Sequence, residues 1–283
     1  MTIKLLLQIL KQRLNIAGYP KNEARAIIHI LFEHYARINR ADLYINLDKQ
    51  LESGVLNKIN NAVIWLEKHC PLQYIVGETE FYGLAFYVNE NVLIPRPETE
   101  ELVHWIIEDY TDSENVSVFD IGTGSGAIAV ALAKKLNAPL VHAVDISVEA
   151  LKTAKENAGR NNVDVEFIQQ DILASNIQLP QKFDCIVSNP PYVRTSEKKL
   201  MQKNVLDYEP PSALFVDDTN PLIFYKAIAE TAMEWLNLNG AVYVEINEAL
   251  PDETRNLFEQ YGFSTIVRKD INDKPRMIKA VLN

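Results

Sequence analysis

The chain is predicted to be an α/β protein: a doubly wound sheet, with a small helical bundle in front of it and a β-hairpin between the two. Three observations predict this. Apolar residues in the first third recur at helical spacing. From residue 116 onward, short apolar runs with β-forming residues alternate with helical patterns. A glycine-rich loop falls at the first strand-to-helix turn of that alternation.

The bundle comes first. Leu5, Leu6, Ile9, Leu10 and Leu14 make one apolar stripe, and Ala24, Ile27, Ile28, Leu31 and Phe32 a second. Gly18-Tyr19-Pro20 separates them, and Pro20 suits a helix start. A third helix is expected over 51–70, stopping before Pro71. Gln8, Lys11, Gln12 and Arg13 interrupt the opening apolar run, so it reads as an amphipathic helix rather than a secretion signal.

The hairpin is expected next. Residues 81–88 are aromatic and β-prone, Asn89-Glu90-Asn91 suits a turn, and Val92-Leu93-Ile94 suits a second strand. Arg96-Pro97-Glu98-Thr99-Glu100 then opens a helix that runs to about residue 110. Sheet strands are expected at 116–121, 140–144, 165–168, 185–187, 241–246, 263–267 and 277–281. Helices are expected from 125, from Ser147 as N-cap, over 221–236 and over 252–261. The expected domains are 1–72 (helical), 73–95 (hairpin linker) and 96–283 (sheet).

Composition bounds the function. The chain has 283 residues, 47% apolar and 23% charged, enough for a large core without a staple. Its two cysteines, Cys70 and Cys185, lack ligand spacing, so buried reduced thiols are expected and no metal. No apolar run reaches the roughly 20 residues that span a bilayer, so a cytoplasmic protein with no membrane partner is expected. The net charge of −10 is uneven: residues 1–95 balance to +1 and residues 96–283 to −11. Duplex binding needs a basic face for phosphate neutralisation, so no direct DNA binding is expected. Any RNA contact falls on residues 1–40, which hold seven basic and two acidic side chains.

Asp120-Ile121-Gly122-Thr123-Gly124-Ser125-Gly126 occupies the first strand-to-helix turn. Gly122, Gly124 and Ala127 also satisfy a dinucleotide fingerprint, so the loop alone is ambiguous. Asp145, at the end of the second strand, suits both hydroxyls of a ribose. NAD and S-adenosylmethionine share that need. Asp120 beside the loop favours a cationic, phosphate-free ligand and repels a pyrophosphate. Asp171, in Gln170-Asp171-Ile172, suits the amino group of adenine.

Asn189-Pro190-Pro191-Tyr192 follows a buried-strand pattern directly. A planar amide or amino nitrogen is a poor nucleophile because its lone pair is delocalised. Its two N–H groups must be held so that the nitrogen faces the methyl donor. The Asn189 side-chain oxygen suits one of them and the Pro190 carbonyl the other. Tandem prolines fix the backbone and remove competing donors. Tyr192 offers an aromatic wall for a planar group. Asn189, Pro190 and Tyr192 are thus the expected catalytic residues, with Pro191 in the substrate-binding set.

Four segments together resemble a known family: 77–83, 94–100, the 120–126 loop and 187–192 look like the peptide-chain release factor glutamine methyltransferases, the PrmC or HemK family. Glu209-Pro210-Pro211-Ser212-Ala213-Leu214-Phe215 also fits. The resemblance implies a Rossmann-like methyltransferase sheet and S-adenosyl-L-methionine as methyl donor. It implies N5-methylation of the glutamine in the Gly-Gly-Gln motif of class 1 release factors, which modulates translation termination. Asp120, Ile121, Gly122, Thr123, Gly124, Asp145, Asp171, Ile172 and Asn189 would contact the donor. Asn189, Pro190, Pro191 and Tyr192 would contact the glutamine amide, and the N-terminal helices would help grip the release factor. Two places depart from the family pattern: Asp217-Asp218-Thr219-Asn220-Pro221 replaces a Gly-containing turn, and Asn247 stands where Gly commonly follows the Glu-hydrophobic pair.

Three other functions fit parts of the pattern. An N-methyltransferase acting on an exocyclic amine of a nucleic-acid base uses the same Asn-Pro-Pro-aromatic logic. An NAD-dependent oxidoreductase explains the glycine loop but leaves 189–192 idle. A release-factor-binding module without catalysis leaves the donor site idle.

Overall fold

The computed structural model describes residues 1–174 and 179–282. They form two compact units: residues 1–77 with 202–208, and residues 78–201 with 209 onward.

The first unit is helical. It contains α1 (Ile3–Ile16), α2 (Lys21–Ala36), α3 (Arg40–Ile45), α4 (Ser53–Leu66) and α5 (Leu72–Val76). The Thr2 side chain caps α1, and Pro20 stands at the N-cap of α2. Leu6, Leu10 and Leu14 of α1 pack with Ile28, Leu31 and Phe32 of α2 and with Val63 and Leu66 of α4. The third expected helix is shorter than 51–70. It ends at Leu66, and His69 takes a left-handed φ of 62° that a helix cannot continue through. The short helices α3 and α5 were not expected.

The second unit opens with the hairpin β1 (Glu78–Phe81) and β2 (Leu84–Tyr87). Its turn is Tyr82-Gly83, with φ of 52° and 72°. Positive φ at both central residues is the backbone of a two-residue hairpin turn. The expected turn at 89–91 is present, closed by Val92 N donating to the Asn89 carbonyl at 3.1 Å, but it is not the turn of the hairpin, and the expected strand at 92–94 is corrected to a loop. The Asn89 side chain holds this loop, accepting from Asn91 N at 2.9 Å and donating to Thr153 Oγ1 at 3.1 Å. The hairpin does not stand apart as a linker. Asn157 binds both the N–H and the carbonyl of Tyr87, and Arg160 pairs with Glu78 at 2.8 Å.

The chain then alternates as α6 (Pro97–Asp109), β3 (Ser117–Ile121), α7 (Ala127–Lys135), β4 (Leu140–Asp145), α8 (Val148–Asn161), β5 (Glu166–Gln169) and β6 (Phe183–Ser188). After them come β7 (Val193–Arg194), then α9 (Lys203–Tyr208), which belongs to the first unit, and, back in the second, β8 (Phe215–Val216), α10 (Ile223–Trp235), β9 (Leu236–Glu245), α11 (Pro251–Gln260), β10 (Phe263–Lys269) and β11 (Pro275–Leu282). All seven expected sheet strands pair, in the order β10-β11-β9-β6-β3-β4-β5. β9 through β5 run parallel, and β11 runs antiparallel to both its neighbours.

Successive residues of a strand face opposite sides. Val118 of β3 accordingly joins a core with α6, α7 and the hairpin, while Phe119 and Ile121 join a second core with α10 and α11. From β3 the chain steps outward through β4 and β5, then returns to place β6 on the other side of β3. A crevice must open at that reversal, at the carboxyl ends of β3 and β6. The Ser188 hydroxyl donates to the Ile121 carbonyl at 2.7 Å and ties the two strand ends together.

Candidate active site

The crevice is a cavity of about 480 Å³. The glycine loop after β3, the end of β4, the segment 170–173 after β5 and Asn189–Pro191 after β6 all line it. One cavity thus gathers Ile121, Gly122, Thr123, Gly124, Asp145, Asp171, Ile172, Asn189, Pro190 and Pro191 from the expected set. Asp120 and Tyr192 are not on its wall.

The loop is braced from β4. Gly122 N and Thr123 N both donate to the Val144 carbonyl at 2.9 Å. The Asp145 carboxylate accepts from Gly124 N at 2.8 Å and from Ser147 N at 2.9 Å. Asp145 is therefore held rigidly at the cavity edge, with acceptor capacity left on each oxygen. Asp171 is held in the same manner, accepting from Leu173 N at 2.9 Å. Ser147 caps α8 as expected, accepting from Ala150 N at 3.1 Å.

Asp120, expected beside the loop in contact with the donor, lies beneath the loop and is wholly buried. β3 is buried along its whole length, so the side chain before the final Ile121 points into the protein. One carboxylate oxygen accepts from the Thr123 hydroxyl at 2.6 Å. The other has no well-formed hydrogen bond among the described residues. Burial pushes the carboxyl up to about 7, offset in part by the Thr123 hydroxyl.

That shift has a sign. The usual Asp value is about 3.9. Between the two values the folded chain keeps a proton that the unfolded chain has lost, so Asp120 costs stability as pH rises through that window. In Asp120→Asn that cost disappears. Thermal melts between about pH 5 and 8 should show the variant gaining on the wild type as pH increases. A constant difference across the range would refute the assignment.

The charge of the cavity discriminates between ligands. Its charged lining residues, among those described, are Glu90, Asp145, Asp171 and Arg96. Arg96 is already paired with Glu209. Three carboxylates and one neutralised cation fit a cationic adenosine ligand and oppose a pyrophosphate. The donor set therefore fits S-adenosylmethionine and not NAD.

Asn189 has one side of its amide committed. Its Nδ2 donates to the Thr99 hydroxyl at 3.0 Å, and that hydroxyl donates to Glu245 at 2.7 Å. The carbonyl oxygen of the side chain remains for the cavity. Tyr192 is corrected from the wall to the foundation. Its ring packs on the second core, and its hydroxyl donates to the other Glu245 oxygen at 2.7 Å. Burial, with the Glu245 carboxylate beside it, keeps the phenol protonated far above its usual range. Burial also raises the Glu245 carboxyl, against the Thr99 and Tyr192 hydroxyls and the nearby Arg276.

Sequence reasoning missed Thr99 and Glu245 as site residues, although both sat in segments it quoted. Asn247, noted only as a departure, donates to the Tyr192 carbonyl at 3.0 Å and to Glu197 at 2.9 Å. The other departure is also used. Asp217 turns its own loop through Thr219, and Asp218 accepts from the Ser196 hydroxyl at 2.7 Å.

The fold, the braced glycine loop and the acidic cavity define a methyltransferase domain. Residues 101–208 match the family described as the methyltransferase small domain, and residues 6–77 match the PrmC N-terminal domain. A methyltransferase from Pyrococcus furiosus shares the fold at a TM-score of 0.53 and 19% identity, covering 81% of this chain and 98% of that one.

Among sequence relatives, a release factor glutamine methyltransferase of Flavobacterium psychrophilum is 48% identical, over 92% of this chain and 93% of its own. That of Bacteroides thetaiotaomicron is 40% identical, over 93% and 94%. The chain belongs to the release factor glutamine methyltransferase family.

Proposed function

We propose that this protein transfers a methyl group from S-adenosyl-L-methionine to the side-chain nitrogen of the glutamine in the Gly-Gly-Gln motif of class 1 release factors. One observation carries the proposal in a chain of this family. The acidic glycine-loop pocket and Asn189–Pro191 share one cavity, so a methyl donor and an amide meet there.

S-adenosylmethionine supplies an electrophilic methyl group on a sulfonium. Asp145 would accept from the ribose hydroxyls, Asp171 and Ile172 would border the adenine, and Ile121–Gly124 would border the rest of the donor. The Asn189 oxygen would accept one glutamine N–H and the Pro190 carbonyl the other. Both acceptors return electron density to the nitrogen and aim it at the methyl group. The nitrogen sheds its proton after attack, so no dedicated base is required. Orientation then supplies most of the rate, and aligned pairs gain roughly 7–11 kcal/mol in this way. Tyr192 would support the loop from below through Glu245.

Residues 1–72 would help hold the release factor. The exposed Ile16, Ile45 and Trp65 support that part of the proposal, as apolar surface available to a protein partner. The protein would act in the cytoplasm, with its substrate. Among the described residues no helix is long and apolar enough to cross a membrane.

Transfer of labelled methyl to a purified release factor, to ribosomal RNA and to duplex DNA tests the substrate class. Label should enter the release factor alone. Label in either nucleic acid and none in the protein would establish the base-methylating alternative.

A further inference from the structure

We infer that Glu245, acting through Thr99, decides which end of the Asn189 amide faces the cavity. The inference rests on the proposed function, because it assigns a use to the Asn189 oxygen. The two ends of an Asn amide are similar in shape and opposite in hydrogen bonding. An amide with its NH2 toward the cavity would repel the glutamine NH2 it has to hold. Something must select the orientation, and the hydrogen-bond network is what settles it.

The selection starts at the carboxylate. Glu245 is buried at the end of β9, and when ionised it can only accept. Its Oε1 accepts from Tyr192 and its Oε2 from Thr99, each at 2.7 Å. Thr99 is 4% exposed and has one hydroxyl hydrogen, which is spent on Glu245. Toward Asn189 it therefore presents only lone pairs. Only the Asn189 NH2 can meet them, at 3.0 Å, and the oxygen is turned to the cavity. Glu245 does not line the cavity, so it is a positioning residue.

Glu245→Gln breaks the selection without changing the shape. The Gln oxygen can keep Tyr192 while its NH2 faces Thr99. The Thr99 hydrogen is then released toward Asn189, whose amide becomes equally stable reversed. Thr99→Val removes the relay outright, and Thr99→Ser preserves it.

The test has two readouts. In the first, kcat on release factor should fall about 10- to 100-fold in Glu245→Gln and Thr99→Val and recover in Thr99→Ser, with Kd for S-adenosylmethionine unchanged in Glu245→Gln. In the second, the Asn189 side-chain NH2 resonances should shift in the NMR spectra of Glu245→Gln and Thr99→Val, with no substrate or donor added. Wild-type kcat in both variants, or unshifted resonances in both, would overturn the inference. If Glu245→Gln fails to fold, the Thr99 pair carries the test. A wild-type protein that methylates no release factor would defeat the proposed function, while the resonance comparison still judges the relay.

Discussion

In Asn189→Ala, methyl transfer to a release factor is expected to fall roughly 100- to 1,000-fold, the usual loss when one preorganised hydrogen-bonding group is removed from a reacting centre. The donor should still bind. The glycine loop is braced by Val144 and Asp145, not by Asn189. Stability should change little. Asn189 is half-buried, and Thr99 keeps its bond to Glu245 when Asn189 is lost. Single-turnover rates and calorimetric Kd values for S-adenosylmethionine separate the two effects. Turnover close to wild type would mean that the amide is held elsewhere.

The second large effect is on the scaffold. Gly126 has a φ of 81°, and a Cβ placed there would lie 3.1 Å from Ala154 Cβ and 3.2 Å from its Cα. Both neighbours belong to α8, so relief requires the helix itself to move. Gly126→Val combines left-handed strain at a β-branched residue with this clash. The cost should be about 2–6 kcal/mol, from roughly 1–3 for the backbone and a similar amount for overpacking. Denaturant titration should show the midpoint falling with the slope unchanged. Affinity for S-adenosylmethionine should fall as well, because the loop lines the cavity proposed to hold it. A variant as stable as the wild type would show that α8 yields at little cost.

Local signals made the sheet and half the site legible. The glycine loop, Asp145 and Ser147 all depend on residues close in sequence, and each sits at the strand end its spacing implied. The hairpin turn was misplaced for a physical reason. Asn89-Glu90-Asn91 has turn composition, whereas Tyr82 takes positive φ without any local sign of it. The helices α3 and α5 are too short to show periodicity. β9 begins at Leu236, within the span read as helix, because Leu236 pairs with Phe183 across the sheet. Pairing at that distance leaves no local trace.

The hidden part of the site has the same cause. Thr99 and Glu245 are 146 positions apart, and only the fold brings them together. Asp120 was read as a carboxylate facing the donor because its neighbours were known and its depth was not. Asn247 looked like a defect in a pattern and proves to be a strut under Tyr192.

Mass spectrometry of a release factor, after incubation with the protein and S-adenosylmethionine, tests the central claim most directly. One added methyl is expected, on the side chain of the glutamine in the Gly-Gly-Gln peptide and nowhere else, and absent with Asn189→Ala. A methyl on another residue, or an unmodified glutamine beside a protein shown to bind the donor, would contradict it.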